Sequence, residues 1–138
     1  NSRLDEMQAA FLAAKLPHLE RMNVERRRIA QKYLDGIKNP EVILPFVPED
    51  IVPVWHIFGI RCKRRAELEK FLNDKGIVTN KHYPIPMHLQ DCYKDLGYKE
   101  GDFPIAEVIS ATELSIPMYY GMTDEEIQYV IDAINEFR

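Results

Sequence analysis

Apolar residues recur at helical spacing from the first turn of the chain: Leu4, Met7, Phe11, Leu12 and Leu16. Ala9, Ala10, Ala13 and Ala14 between them add helix propensity and permit close packing. Pro17 breaks or kinks this helix, because its ring nitrogen has no N–H to give. Leu19, Met22, Ile29 and Tyr33 mark a second helix over 18–34, which Gly36 is placed to end. Residues 1–36 therefore predict a long bent helical arm, its polar positions facing solvent or another lobe.

The rhythm then changes. Asn39-Pro40 marks a turn, and Val42-Ile43-Leu44 reads as a short strand. Pro45, Pro48 and Pro53 limit regular structure before an alternating run over 54–62 that predicts a strand. In that register His56 falls on the apolar-rich side, the place of a packed, hydrogen-bonded histidine. Leu68, Phe71 and Leu72 give one face to a helix over 65–73, ended at Lys75-Gly76. Ile77-Val78-Thr79 begins another strand, and 91–96 is a short helix. Pro104 opens a helix over 104–114 with Ile105, Val108 and Ile109 expected inside. Leu114 to Met118 is strand or extended chain. Thr123 with Glu126 forms a capping box, and Ile127, Val130, Ile131, Ile134 and Phe137 form an apolar stripe to the end. The fold class is α/β, as an α+β-like small lobe over 40–138. It holds a three- or four-stranded, mostly antiparallel sheet covered by helices, preceded by the arm.

Composition narrows function more than fold. With 138 residues, 46% hydrophobic and 29% charged, the chain is an ordinary single domain, and its net charge of -4 gives no footing for nucleic acid. The Arg26-Arg27-Arg28 cluster is diluted by Glu20, Glu25 and Asp35 and reads as a solvated helix face. No apolar run approaches the ~18 residues of a membrane helix. Cys62 and Cys92 form no disulfide framework, which fits a reducing, cytoplasmic compartment. Cys62 is expected in the core and Cys92 in helix packing. The chain enters a helical pattern at Asn1 with no strand before it, and we expect a piece of a longer polypeptide.

The densest chemistry lies in His82-Tyr83-Pro84-Ile85-Pro86-Met87-His88-Leu89-Gln90. Two imidazoles, a phenol and an amide fall on a segment stiffened by two prolines. It is either a binding loop or a rigid surface turn with its polar groups capped. Imidazoles donate to or accept from hydroxyls, keto oxygens or diphosphate, and Tyr83 offers a flat face and an OH. Gln90 either holds the loop or reaches a ligand. Two histidines without further ligands make no zinc site, which wants four, so no metal is expected.

Several stretches resemble the DegT/DnrJ/EryC1 family of sugar aminotransferases, pyridoxal-phosphate enzymes of fold type I. They are Asn1-Ser2-Arg3-Leu4-Asp5-Glu6-Met7-Gln8-Ala9-Ala10, Trp55-His56-Ile57-Phe58, the run from Gly76 through Gln90, and Leu114-Ser115-Ile116-Pro117-Met118 with the closing helix. The order and spacing match over essentially the whole chain. The resemblance implies the C-terminal small domain of such an enzyme, without the N-terminal domain that carries the cofactor lysine. No lysine from Lys15 to Lys99 lies in a matching motif. The activity implied is amino transfer, with glutamate as expected donor, to a nucleotide-linked keto sugar. This piece alone would be inactive, and the parent is expected to be a homodimer. His82, Tyr83, His88 and Gln90 would contact substrate. Asn1 and Arg3 would approach the cofactor phosphate of the partner subunit, unless Arg3 pairs with Asp5 or Glu6 instead. Two other readings stay open: a non-catalytic binding or oligomerisation domain, and the same lobe of a related sugar dehydratase.

Overall fold

The structure is a computed structural model that describes residues 3–138. Asp5 caps α1 (Glu6–Lys15) by accepting the Met7 N–H at 2.9 Å. Pro17 sits in a single 3₁₀ turn, Leu16–His18, that joins α1 to α2 (Leu19–Gly36). α1 buries none of its residues, and α2 buries only Ile29, Ala30 and Tyr33 near its end. Full burial of the arm is confined to its C-terminal part, while Arg21, over the Tyr120 ring, and Arg26 tie the start and middle of α2 to the lobe.

The arginine cluster is not the solvated face expected. Successive helical positions point in different directions, so each cation finds its own partner. Arg26 Nη1 donates to the carbonyls of Trp55 at 3.0 Å, His56 at 3.3 Å and Met118 at 3.2 Å. Arg27 pairs with Glu20, and Arg28 bridges Glu25 and Asp124, each at 2.6 Å.

Three antiparallel strands lie in the order β1 (Val42–Ile43), β2 (Phe58–Cys62), β3 (Glu113–Ile116). α3 (Arg65–Asp74) follows β2, α4 (Pro104–Thr112) leads into β3, and α5 (Asp124–Glu136) closes the chain. The strand expected over 54–62 starts only at Phe58. Pro53 and a left-handed Trp55 (φ 51°) keep the chain irregular before it, and His56 is exposed rather than packed. The strand expected at Ile77-Val78-Thr79 reduces to one antiparallel bridge, Asn80 to Ser115. Gly76, at φ 76°, ends the α3 turn in a conformation that needs glycine, and the prolines of the next segment stop further pairing.

The core forms where α2, α3 and α5 meet the sheet. Tyr33, Phe58, Ile60, Leu68, Leu72, Leu114, Ile127 and Ile134 are fully buried, each worth roughly 1.5–3 kcal/mol of transfer free energy if apolar. Tyr33 keeps its hydroxyl satisfied by donating to the Pro117 carbonyl at 2.9 Å, and burial pushes its phenol well above the usual range. Cys62 is buried as expected, and burial raises its thiol; Cys92 is exposed instead of packed.

Two asparagines lock the helix ends. Asn39 Nδ2 donates to the Ile134 and Phe137 carbonyls at 2.7 and 2.8 Å. Asn135 answers by accepting the Lys38 and Asn39 N–H groups and donating to the Gly36 carbonyl. α5 begins with the capping box read from the sequence: Thr123 accepts from Glu126 N, and the Glu126 carboxylate accepts from Thr123 N. Its whole apolar stripe is buried.

α4 is the largest departure from expectation. Ile105, Val108 and Ile109 are exposed by 77, 53 and 41%, while Ser110 is buried. The Arg65 guanidinium binds the Ser110 carbonyl, and Ile109 looks onto an open cavity rather than into the core. No helix among the described residues is long and apolar enough to cross a membrane.

Candidate functional site

The 82–90 loop lies between β3 and the first turn of α4 and walls a cavity of about 630 Å³. Tyr83, Met87, His88, Tyr98, Phe103 and Ile109 give it an almost wholly apolar lining. A second hollow, about 330 Å³, is bordered by His56, Asn80, Ser115 and Met118. His82 stands at the edge of both.

His82 is held on three sides. Its backbone N–H donates to Glu113 Oε2 at 2.7 Å. Its Nδ1 lies 2.9 Å from Ser115 Oγ, and its Nε2 lies 3.3 Å from Asn80 Nδ2. Ser115 in turn donates to Glu113 Oε1 at 2.5 Å. Glu113 and Ser115 are both buried, two residues apart on β3 and so on one face of the strand. Gly59 pairs opposite Ser115, and a Cβ there would stand 3.0 Å from Glu113 Oε1. Glycine at that position leaves the carboxylate its room.

His88 forms a second node. Its side chain is only 7% exposed, its ring packs on Phe103 at 4.8 Å, and its Nε2 lies 2.9 Å from Glu107 Oε1. The same carboxylate accepts the N–H groups of Gly101 and Phe103. Burial pushes the Glu107 carboxyl up, but the two backbone donors and His88 outweigh it and hold its pKa below the usual carboxylate range. Gln90 donates to the Ile85 carbonyl at 3.3 Å and so holds the loop itself. Tyr83 is 68% exposed and meets the His82 ring edge-on.

Of the residues singled out in the sequence, His82, Tyr83 and His88 line the main cavity, and Gln90 braces the loop behind it. Asn1 lies outside the described residues. Arg3 is exposed ahead of α1, outside the lining of both hollows, and pairs with neither Asp5 nor Glu6. Lys81, beside the loop, is paired: its Nζ sits 2.8 Å from Glu69 Oε1. Among the described residues, no three His, Cys, Asp or Glu side chains gather as a metal site.

Sequence reasoning missed Asn80, Glu107, Glu113 and Ser115. Two signals were present. Glu113 and Ser115 alternate inside an otherwise apolar strand, which places two polar groups toward one side. Glu107 sits in the first turn of a proline-led helix, where a carboxylate meets free N–H groups.

The sequence model of the DegT/DnrJ/EryC1/StrS aminotransferase family matches residues 1–135. The chain is 43% identical over 140 residues to the pleiotropic regulatory protein of Geobacillus stearothermophilus, covering 99% of this chain and 38% of that protein. It is 43% identical over 137 residues to the dTDP-3-amino-3,6-dideoxy-alpha-D-galactopyranose transaminase of Aneurinibacillus thermoaerophilus, covering 99% and 37%. The crystal structure of S. venezuelae DesV in complex with a ketimine intermediate superposes with a TM-score of 0.95 at 42% identity, over 99% of this chain and 37% of that one. The chain thus spans well under half the length of the relatives it matches.

Proposed function

This chain belongs to the DegT/DnrJ/EryC1/StrS aminotransferase family, and on that footing we propose that it is the C-terminal small lobe of a pyridoxal-phosphate-dependent, cytoplasmic enzyme that transfers an amino group to a nucleotide-linked keto sugar. The observation that carries the reading is the family match over residues 1–135. The relative named as a dTDP-amino-sugar transaminase supports the substrate class, and glutamate is the proposed donor.

Pyridoxal phosphate supplies the electron sink for such chemistry when bound. The residues here fit a contact to its phosphate and not its covalent anchor. Arg3 is exposed and has no ion pair among the described residues, which leaves a guanidinium for phosphate oxygens; Asn1, outside the described residues, is proposed as the second donor. No lysine lines either hollow at the 82–90 loop, and Lys81 is paired with Glu69. In this reading the parent is a homodimer, and Asn1 and Arg3 serve the cofactor of the partner subunit.

The substrate-side work falls to the loop. His82 and Tyr83 present polar groups at the cavity edge. His88 contributes ring surface, since its Nε2 is engaged by Glu107. Gln90 keeps the loop in shape so that these groups are fixed before a sugar arrives, which lowers the entropy cost of binding it.

The test compares this chain with its polypeptide extended upstream. Both are mixed with pyridoxal phosphate, glutamate and a nucleotide-linked 3-keto deoxysugar. The extended protein should show the visible absorbance of covalently held cofactor and yield an aminated sugar by mass spectrometry; this chain alone should show neither. Stoichiometric covalent cofactor on this chain alone would overturn the reading. A histidine in place of the cofactor lysine upstream, with water loss instead of amination, would assign a sugar dehydratase.

A further inference from the structure

We propose that Glu113 and Ser115 are positioning residues that fix the tautomer of His82, with the proton on Nδ1 and a bare Nε2, so that the ring takes a hydroxyl or amine donor of the substrate and not a keto oxygen. The donors around the ring fix the assignment.

The His82 backbone N–H can only donate, and it donates to Glu113 Oε2 at 2.7 Å. Glu113 Oε1 accepts the hydroxyl proton of Ser115 at 2.5 Å. That spends the only proton Ser115 has, so Ser115 Oγ can only accept from the imidazole 2.9 Å away. His82 Nδ1 therefore carries the hydrogen. The other side of the ring agrees independently. Asn80 Oδ1 accepts the Lys81 N–H at 2.8 Å, which fixes the amide orientation. Its Nδ2 donor then faces His82 Nε2 at 3.3 Å, and Nε2 must be the acceptor.

Burial makes the arrangement stiff. Glu113 and Ser115 are 8% and 6% exposed, in the body of β3, and Gly59 across the ladder leaves the carboxylate its space. The contact to Asn80 is longer and exposed, so a ligand hydroxyl can take its place at Nε2. The consequence rests on the proposed substrate role of His82. A neutral ring with a bare Nε2 receives a hydrogen bond from a sugar hydroxyl, and a keto oxygen facing it gains none.

The relay predicts an inversion in one variant. In Glu113→Gln the fixed His82 N–H claims the amide oxygen, so the amide NH₂ turns toward Ser115. Ser115 then accepts from Gln, and its freed proton turns to the neighbouring acceptor, His82 Nδ1. The imidazole proton moves to Nε2, and the weaker Asn80 contact gives way.

The experiment is long-range ¹H–¹⁵N correlation on histidine-labelled protein, at a pH where the rings are neutral, with His82 assigned by the loss of its signals in His82→Asn. The wild type should show a protonated Nδ1 and bare Nε2. Glu113→Gln should show the reverse, and Ser115→Thr, which keeps the hydroxyl, should retain the wild-type pattern. A wild-type proton on Nε2, or an unchanged tautomer in folded Glu113→Gln, overturns the relay. Should Glu113→Gln not fold, the wild-type spectrum alone decides. Adding nucleotide sugar to the upstream-extended protein separates the two proposals: an intact Nδ1–H pattern with no response at Nε2 there leaves the relay standing and overturns the substrate role.

Discussion

The His88 ring nitrogen meets the Glu107 carboxylate at 2.9 Å across nineteen residues, tying the proline-rich loop to the first turn of α4. The same carboxylate holds the backbone N–H groups of Gly101 and Phe103, so one side chain closes the turn before α4 and fixes the loop wall. Glu107→Ala should therefore loosen both without unfolding the core, to which neither His88 nor Glu107 belongs. Amide exchange at Gly101 and Phe103 should quicken by roughly tenfold or more, the equivalent of one lost charge-assisted hydrogen bond. Exchange at Ile131 and Ile134 in α5 should stay as it is. Unchanged exchange at Gly101 and Phe103 would show that Glu107 holds nothing.

Asn39 is a structural keystone of a different kind. It is 7% exposed and its amide satisfies two carbonyls at the end of α5 while its oxygen accepts the Glu41 N–H. Asn39→Ala should cost about 2–3 kcal/mol, because buried carbonyls lose their donors. Asn39→Asp is the sharper variant. It keeps the acceptor for Glu41 N–H but turns the donor into a carboxylate facing two carbonyls, and it should cost at least as much as alanine. Urea unfolding followed by circular dichroism measures both; an aspartate variant as stable as the wild type would remove the amide from this role.

What could be read from the sequence divides along a physical line. The α5 stripe, its capping box, the Pro17 break and the Asn39-Pro40 turn depend on neighbours in the chain, and all appear as read. The resemblance to a family was carried by the same kind of local run, and the family match covers it. Periodicity also found α4, but it cannot say which neighbour covers a face. Ile105, Val108 and Ile109 were expected inside because they are apolar, yet it is Ser110 that is buried while these three stay exposed. His56 failed for a similar reason. Alternation predicted a strand through it, but Arg26 draws the Trp55 and His56 carbonyls out of any ladder. Around the 82–90 loop the histidines were visible and their partners were not. Glu107, Glu113 and Ser115 reach them from 19, 31 and 33 residues away, distances at which no local pattern speaks.

Stability should fall in acid, and the sign follows from four carboxylates. Asp124 is held below its ordinary pKa by Lys32 and Arg28, Glu25 by Arg28, and Glu67 by Arg64. Glu107 is lowered by its backbone donors and His88 in spite of burial. A carboxylate whose pKa is lower folded than unfolded stabilises the fold in full above the unfolded value, about 4. That contribution is lost as pH falls through the unfolded and then the folded pKa. The urea midpoint should thus hold steady from neutral pH to about 5 and drop below it. Added salt should shrink the drop, since most of these pairs are exposed. Arg28→Gln should flatten the share that belongs to Glu25 and Asp124. A midpoint that rises on acidification would contradict the sign.

The arm offers the last test, because α1 buries none of its own residues while carrying an apolar stripe. Leu4, Met7, Phe11, Leu12 and Leu16, along α1 and just beside it, are each 57–67% exposed, and the companion α2 fully buries residues only toward its far end. A contiguous apolar stripe of this kind marks a surface that another body covers, and in the proposed homodimer that body is a second subunit. Leu12→Lys and Leu16→Lys should leave the unfolding free energy within about 0.5 kcal/mol, because neither side chain contributes to the core. They should nonetheless shift the sedimenting species from dimer toward monomer. A wild-type dimer whose mass survives both lysines would remove this face from the interface, and a wild type that sediments as a monomer would remove self-association by the arm altogether.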